Sequence, residues 1–213
     1  MDGFINVYKE KGMTSHDVVN KIRKIFGTKK VGHTGTLDPN ATGVLPVAIN
    51  NATKVIEYME MDDKTYIAEL TLGIVTDTED IWGNVLEEKE VNVSEDEIIN
   101  VINSFIGKQK QVPPMYSALK VDGKKLYELA REGKVIDREA RDIEIFSIDE
   151  IKANGNIVSF KVHCSKGTYI RTLCSNIGEK LGCGGTMSGL ERVQSGKFSL
   201  DSSVTLEKLE KDK

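Results

Sequence analysis

A chain of 213 residues with 39% apolar and 29% charged side chains can bury a substantial core, and its composition is that of a soluble globular protein of one large domain, with or without an insertion. No apolar run approaches the ~20 residues of a membrane helix, and Met1-Asp2-Gly3-Phe4 lacks the basic start and apolar middle of a signal peptide, so a cytosolic location is expected. Cys164, Cys174 and Cys183 are odd in number and show no Cys-x-x-Cys spacing, which argues against a disulfide framework or zinc knuckle and favours inert buried thiols over a ligand pair of His163 with Cys164.

The net charge of −4 argues against non-specific polyanion binding, but that average hides a separation. Residues 57–97 carry fourteen acids against two lysines. Residues 1–38 carry seven cations against four acids, and residues 108–141 carry nine against five. Local phosphate contacts, not global charge, drive binding to nucleic acid, so both basic stretches are candidate contact surfaces.

Gly3 to Tyr8 reads as a short strand, closed by the turn Lys9-Glu10-Lys11-Gly12. Thr14 and Ser15 offer N-cap oxygens to a helix whose Val18, Val19, Ile22, Ile25 and Phe26 share a face and which stops at Gly27. Lys21, Arg23, Lys24, Lys29 and Lys30 lie off that face, where they suit the helix dipole as well as a phosphate. The helix delivers the chain into residues 31–43, Val-Gly-His-Thr-Gly-Thr-Leu-Asp-Pro-Asn-Ala-Thr-Gly, which hold almost nothing a core could use. Gly32, Gly35 and Gly43 permit angles and close approaches that a Cβ would forbid, and Pro39 restricts Asp38. Asp38 is therefore a carboxylate on a stiff loop and a candidate reactive group; the plainer alternative is an ordinary Asp-Pro turn.

Gly43 to Ile49 has the apolar run of a buried strand, Ala52 to Met59 reads as a short helix, and Lys64 to Leu72 alternates as a strand. Asp77, Glu79 and Asp80 read as a solvated acidic turn, since no calcium-loop pattern follows. Ser94 with Glu97 makes a capping box for a helix to Phe105, ended by Gly107. Residues 108–141 are polar and proline-interrupted, with a hairpin signal at Asp122-Gly123 and a helix over Lys124 to Glu132. Tyr116 and Tyr127 there are interleaved with Lys120, Lys124, Lys125, Arg131, Arg138 and Arg141, a pattern that suits looped RNA as well as it suits a mobile surface insertion. Strands over 142–151 and 156–164 form a hairpin about Asn154-Gly155. Ser165 to Thr168 then open a helix with Ile170, Leu173, Cys174, Ile177 and Leu181 on one stripe. Tyr169 and Arg171 lie off that stripe, on spacing alone a packing residue and an exposed cation. A loop, a strand within 184–198 and an amphipathic turn over 204–209 complete the chain, and no phosphate loop or dinucleotide fingerprint is present.

The run Gly32-His33-Thr34-Gly35-Thr36-Leu37-Asp38-Pro39, with Ala41-Thr42-Gly43-Val44-Leu45-Pro46 after it, resembles the active-site motif of the TruB family of tRNA pseudouridine synthases. Pro113 to Lys120, continuing through Gly123 to Arg131 and on to Arg138 and Arg141, is similar to that family's RNA-gripping thumb. Gly167-Thr168-Tyr169-Ile170-Arg171-Thr172-Leu173 is similar to its helix start, and the similarity covers nearly the whole chain. The resemblance implies an α+β fold with a mixed, mostly antiparallel sheet, flanking helices and a thumb-like insertion at 108–141 within one catalytic domain spanning 1–213. It implies isomerisation of uridine 55 in the tRNA T-arm to pseudouridine by base flipping. Asp38 is the implied catalytic residue, attacking C1′ or the base ring or starting an elimination, and Arg171 its implied partner. Tyr66 is the implied stacking ring, His33 the occupant of the vacated position, and Tyr169 and Leu190 the walls of the base pocket. Lys9, Lys11, Lys120, Lys124, Lys125, Arg138 and Arg141 are the expected RNA-contacting set.

The implied partner is tRNA, bound by a monomer. No cofactor, nucleotide or metal is expected, because the rearrangement is redox-neutral, and no membrane. Two departures stand out. Leu190-Glu191-Arg192 occupies the place where the family usually reads Leu-Arg-Arg, and the family's small C-terminal PUA-type domain is expected to be missing, since the chain ends at Lys213. A non-catalytic RNA chaperone and a metal-dependent Asp-nucleophile hydrolase are the rival readings.

Overall fold

The computed structural model describes residues 2–59, 63–121 and 123–212. Strand β1 (Gly3–Lys9) is followed by helix α1 (Ser15–Phe26). The helix begins there because the Thr14 hydroxyl accepts from the Asp17 amide while the Asp17 carboxylate accepts from the Thr14 amide, and it ends because Gly27 turns left-handed at φ 62°. Next come β2 (Val31–His33), β3 (Thr42–Ile49), a 3-10 turn over Asn50–Val55, α2 (Ile56–Met59) and β4 (Lys64–Leu72). Hairpin strands β5 (Ile74–Thr76) and β6 (Val85–Glu88) precede α3 (Glu95–Asn103), which starts at the expected Ser94–Glu97 capping box. Then follow β7 (Gly107–Gln111), β8 (Lys120–Val121), β9 (Lys124–Lys125) and α4 (Leu126–Arg131). The chain closes with β10 (Arg141–Asn154), β11 (Ile157–Cys164), α5 (Ile170–Lys180), β12 (Gly185–Ser195), β13 (Phe198–Ser199) and α6 (Leu206–Lys211).

The main sheet is ordered β1-β3-β12-β4-β11-β10-β7, with β2 on β3 and β13 on β12. β1 and β2 run antiparallel to β3, and β10 to β7, whereas β12 runs parallel to β3 with Glu191 opposite Thr42 and Arg192 opposite Gly43. The sheet is thus mixed and mostly antiparallel, and the α+β class holds. Contacts divide the chain into two units whose limits fall inside β4, β11 and β12. The first comprises the chain up to Ile67, Val162–Lys166 and Gly189 onward; α1 buries Val18, Val19 and Ile22 with Val7, Leu45, Val47 and Leu206 there. The second comprises Ala68–Lys161 and Gly167–Ser188, with Leu70, Ile102, Leu126, Ile145, Phe160 and Leu173 buried.

Most expected elements are present within two or three residues of their expected ends. The helix expected over 52–59 is a 3-10 turn running into a single α turn, and β2, β5, β6 and β7 were not anticipated. Those strands are short, and all four residues of β6 are exposed, so they carry little apolar alternation. Asp122 of the hairpin signal lies outside the described residues; β8 and β9 pair antiparallel on either side of it. All three cysteines are buried and none is in a disulfide, and burial pushes the Cys174 and Cys183 thiols up, as inert thiols require. Among the described residues no helix is long and apolar enough to cross a membrane.

Gly43 is the glycine of the 31–43 stretch that the backbone demands. Its φ is 106°, and a Cβ there would strike the main chain of Arg192 across the parallel pair. At Gly32 a Cβ would meet Ile56, while Gly35 has room for one. Gly43→Ala should therefore destabilise the protein by about 2–4 kcal/mol, combining backbone strain with a clash against atoms that cannot rotate away. Urea unfolding checks this: a lower midpoint at unchanged slope is expected, and a parental midpoint would refute it.

Candidate active site

Asp38 lies half-buried on the link between β2 and β3, and its neighbours on both sides are tied to the chain before and at the start of α1. On one side, Leu37 is buried in the first unit's core. The Ser15 hydroxyl donates to the Leu37 carbonyl at 3.2 Å and accepts from the Leu37 amide at 2.9 Å. Thr14, not Ser15, caps the helix, which leaves Ser15 for this task. On the other side, the Pro39 carbonyl accepts from the Gly12 amide at 2.8 Å and the Lys9 ammonium at 3.1 Å, and the Ala41 amide closes a turn on the Asp38 carbonyl at 3.0 Å. The carboxylate is therefore carried by a segment with little freedom, which lowers the ordering cost of any reaction that uses it.

Lys9 was expected to contact RNA, and the structure corrects this. It is fully buried, and its ammonium donates to the carbonyls of Glu10, Met13 and Pro39, so no proton is left for a phosphate. Burial lowers its pKa to about 8, with Asp38 pulling it back up and Arg192 pushing it further down.

Arg192, to which sequence reasoning gave no role, is 1% exposed, so that with Lys9 the first unit holds two fully buried cations. Nε donates to the Val44 carbonyl at 2.8 Å and Nη2 to the Gly35 carbonyl at 3.0 Å. Tyr66 and Leu190 are partly buried against the same unit's core. Burial raises the Tyr66 phenol pKa, and the charge of Arg192 and its hydrogen bond to the phenol oppose that rise. His33 is half-buried, and burial, with Arg192 and His16, lowers its pKa. Its Nδ1 accepts from the Gly35 amide at 3.3 Å, so the neutral ring carries its proton on Nε2. Glu191, the departure noted in the sequence, accepts from the Tyr8 hydroxyl at 2.9 Å.

Arg171 and Tyr169 belong to the second unit, at the start of α5. Arg171 is no exposed helix cation: it is 6% exposed, and its guanidinium donates to the carbonyls of Thr78 at 3.1 Å and Tyr116 at 2.7 Å, with the Asp80 carboxylate 3.9 Å away. The main chain of half-buried Tyr169 is held at both polar groups by Gln111, whose amide donates to its carbonyl at 3.0 Å and accepts from its N–H at 2.8 Å. The turn read as solvated is an organised acceptor. The Asp80 carboxylate takes the Thr78 hydroxyl and the Trp82 amide, Thr76 donates to the Asp80 carbonyl, and Glu79 is bonded by Thr172. Burial raises the Glu79 pKa, opposed by the Thr172 hydrogen bond and by Arg171.

Of the remaining basic residues, Lys11, Lys120, Lys124 and Arg141 are exposed. Lys125 is half-buried and donates to the Tyr127 hydroxyl at 3.3 Å; Lys125 and Arg131 each lie 5.3 Å from the centre of that ring, so Tyr127 is already engaged by cations. Arg138 is also half-buried, donating to the Pro113 carbonyl at 3.0 Å.

Comparison with known proteins matches residues 23–170 to the N-terminal domain of TruB family pseudouridylate synthase and residues 171–213 to a tRNA pseudouridylate synthase B C-terminal domain. The chain is 59% identical over 212 residues to tRNA pseudouridine synthase B of Clostridium novyi, covering all of this chain and 73% of that protein. It is 57% identical over 210 residues to its namesake in Alkaliphilus oremlandii, covering 99% and 70%. Among solved structures, a Cbf5-Nop10-Gar1 complex contains a chain 37% identical at a TM-score of 0.76, with 96% of this chain and 52% of that one covered. An H/ACA RNP bound to a substrate RNA containing 2′-deoxyuridine gives 33% and 0.73, covering 96% and 51%.

The buried ammonium makes a pH prediction. Lys9 loses its proton near pH 8 when folded but near 10.5 when unfolded, so between those values the unfolded chain holds more protons and rising pH favours the fold. The stability of the parent relative to Lys9→Met should therefore increase from pH 7.5 to pH 10, measured by urea unfolding; a difference that stays flat or falls would contradict the assignment.

Proposed function

The chain belongs to the TruB family of pseudouridylate synthases, and from that premise we propose that it converts uridine 55 in the T-arm of tRNA to pseudouridine, with Asp38 as the reacting carboxylate. The observation that carries this reading is the bracing of Asp38: Leu37 and Pro39 are each held by side chains from the segment before or at the start of α1, so the acid between them stands on a braced turn. Isomerisation breaks a glycosidic bond, turns the base and joins C5 to the ribose. Attack at C1′, attack at the base ring and an elimination all start from such a placed carboxylate.

The target uridine must leave the helix stack, and that requires a ring to receive it and a group to fill the gap. Tyr66 supplies the first and the neutral, planar His33 the second, while Leu190 and Tyr169 bound the base. We assign Arg171 the opposing charge for the reacting acid. Within its own unit its guanidinium is already oriented by two carbonyls and Asp80, which is the preorganisation such a charge needs. Lys11 and the exposed cations of residues 108–141, Lys120, Lys124 and Arg141, supply phosphate contacts, with Lys125 and Arg138 behind them, on a soluble enzyme that acts as a monomer in the cytoplasm.

Asp38→Asn keeps the shape of the side chain and should abolish pseudouridine formation on a T-arm transcript while changing its Kd by no more than a few-fold; retained turnover rejects the assignment. Arg171→Ala should cost roughly a hundredfold or more in single-turnover rate, as loss of a preorganised charge does, with a smaller loss of affinity. Weakened binding at unchanged rate would remove Arg171 from the chemistry.

A further inference from the structure

Burying a guanidinium is expensive, and a strand residue facing the core has no need of one. Arg192 is nevertheless the largest fully buried side chain of the described protein, and its guanidinium donates to main-chain carbonyls. Those carbonyls have a particular location. Gly35 lies three residues before Asp38 and Val44 six residues after it, so one guanidinium spans the open ends of the segment that carries the acid. The main chain of Arg192 closes the same segment from outside, paired in parallel register with Gly43 so closely that only glycine fits. The half-buried Tyr66 phenol also feels this cation: burial raises its pKa, and the charge of Arg192 and a hydrogen bond from it oppose that rise.

We propose that Arg192 is a positioning residue for the pseudouridine reaction, a clasp that closes the Asp38 loop and holds the Tyr66 ring at the same time, so that the reacting acid and the stacking ring are set by one buried cation. This rests on the function proposed above for Asp38 and Tyr66. The geometry also explains why the residue is arginine. A planar guanidinium presents several donors in fixed directions, and here Nε meets Val44 and Nη2 meets Gly35. A lysine carries a single nitrogen on a flexible stem and cannot place separate fixed donors at both carbonyls. Because an arginine can only donate, the Tyr66 oxygen is the acceptor in their bond, and the phenol proton is free to point away from Arg192.

Two variants and two readouts test this. Arg192→Lys keeps the charge and Arg192→Met removes it; both are compared with the parent for affinity and single-turnover rate on a T-arm transcript. Arg192→Lys should bind within about threefold of the parent and react about tenfold more slowly, and Arg192→Met about a hundredfold more slowly, a loss in rate rather than in binding. If Arg192→Met does not fold, Arg192→Lys decides. A folded Arg192→Lys with parental rate, or one whose rate and affinity fall equally, overturns the inference. The second readout needs no RNA. In protein labelled with 3-fluorotyrosine, with the Tyr66 resonance identified by Tyr66→Phe, the Tyr66 phenol should titrate at higher pH in Arg192→Lys than in the parent, and an unchanged titration overturns the clasp. A parent protein that forms no pseudouridine on the transcript sinks the proposed function, and the fluorine titration still decides whether Arg192 holds Tyr66.

Discussion

Two buried cations held by main-chain carbonyls are the constraint on which the first unit's site depends. Lys9 grips Pro39 from the side of β1, and Arg192 grips Gly35 and Val44 from the side of β12. Each would be unfavourable in a core of apolar side chains, since removing an ion from water costs several kcal/mol even after relaxation. Carbonyl oxygens offset that cost only where enough of them converge, and an irregular loop has more unpaired carbonyls than a strand or helix. The loop therefore solves the cations' problem as much as they solve its own. The carbonyls of Gly35, Leu37 and Pro39 are satisfied, and Asp38 stands on a frame fixed at Gly35, Leu37, Pro39 and Val44.

The second unit also buries a cation against main-chain carbonyls, and adds a carboxylate beside it. Arg171 is a buried cation at the start of a helix, a place where the dipole disfavours positive charge. The Thr76–Asp80 turn compensates: it bends a carbonyl and a carboxylate toward the guanidinium, with Glu79 held left-handed at φ 63°. The acidic character of residues 57–97 has at least one structural use there, which a charge count cannot distinguish from solvation. The strain at Glu79 is local and small, and the hydrogen bond from Thr172 helps to hold it.

The elements were legible in the sequence where capping chemistry and periodicity agreed. Thr14 with Asp17 and Ser94 with Glu97 set helix starts, Gly27 set a stop, and the alternation of Lys64–Leu72 set a strand. The Asp38 loop stood out because its composition suits no core. The roles of Lys9 and Arg192 did not stand out, because what defines them is the convergence of carbonyls from distant segments. A signal was present all the same. Ile5, Val7 and Lys9 alternate along β1, so the period of two that buries the first pair buries the lysine with them. Reading the charge first and the register second placed Lys9 at the surface. Short strands such as β6 were hidden for a different reason: their residues face water, and exposed hairpins carry no apolar alternation.

Glu191 shows how far such a departure from a family pattern can be judged from its neighbours. An acid beside an RNA-acting site would repel phosphate if it stood alone on the surface. Here it lies on β12 opposite Thr42, half-buried, and accepts the hydroxyl proton of Tyr8. The hydrogen bond spreads part of its charge onto the phenol and orients the carboxylate along the sheet. The same alternation that turns Arg192 inward turns Glu191 to the other face of the strand, so the exchange of a cation for an anion leaves the clasp on the Asp38 loop untouched. Its charge acts on a polyanion at long range, where salt screens it, and not on the buried hydrogen bonds of Arg192 to Gly35 and Val44.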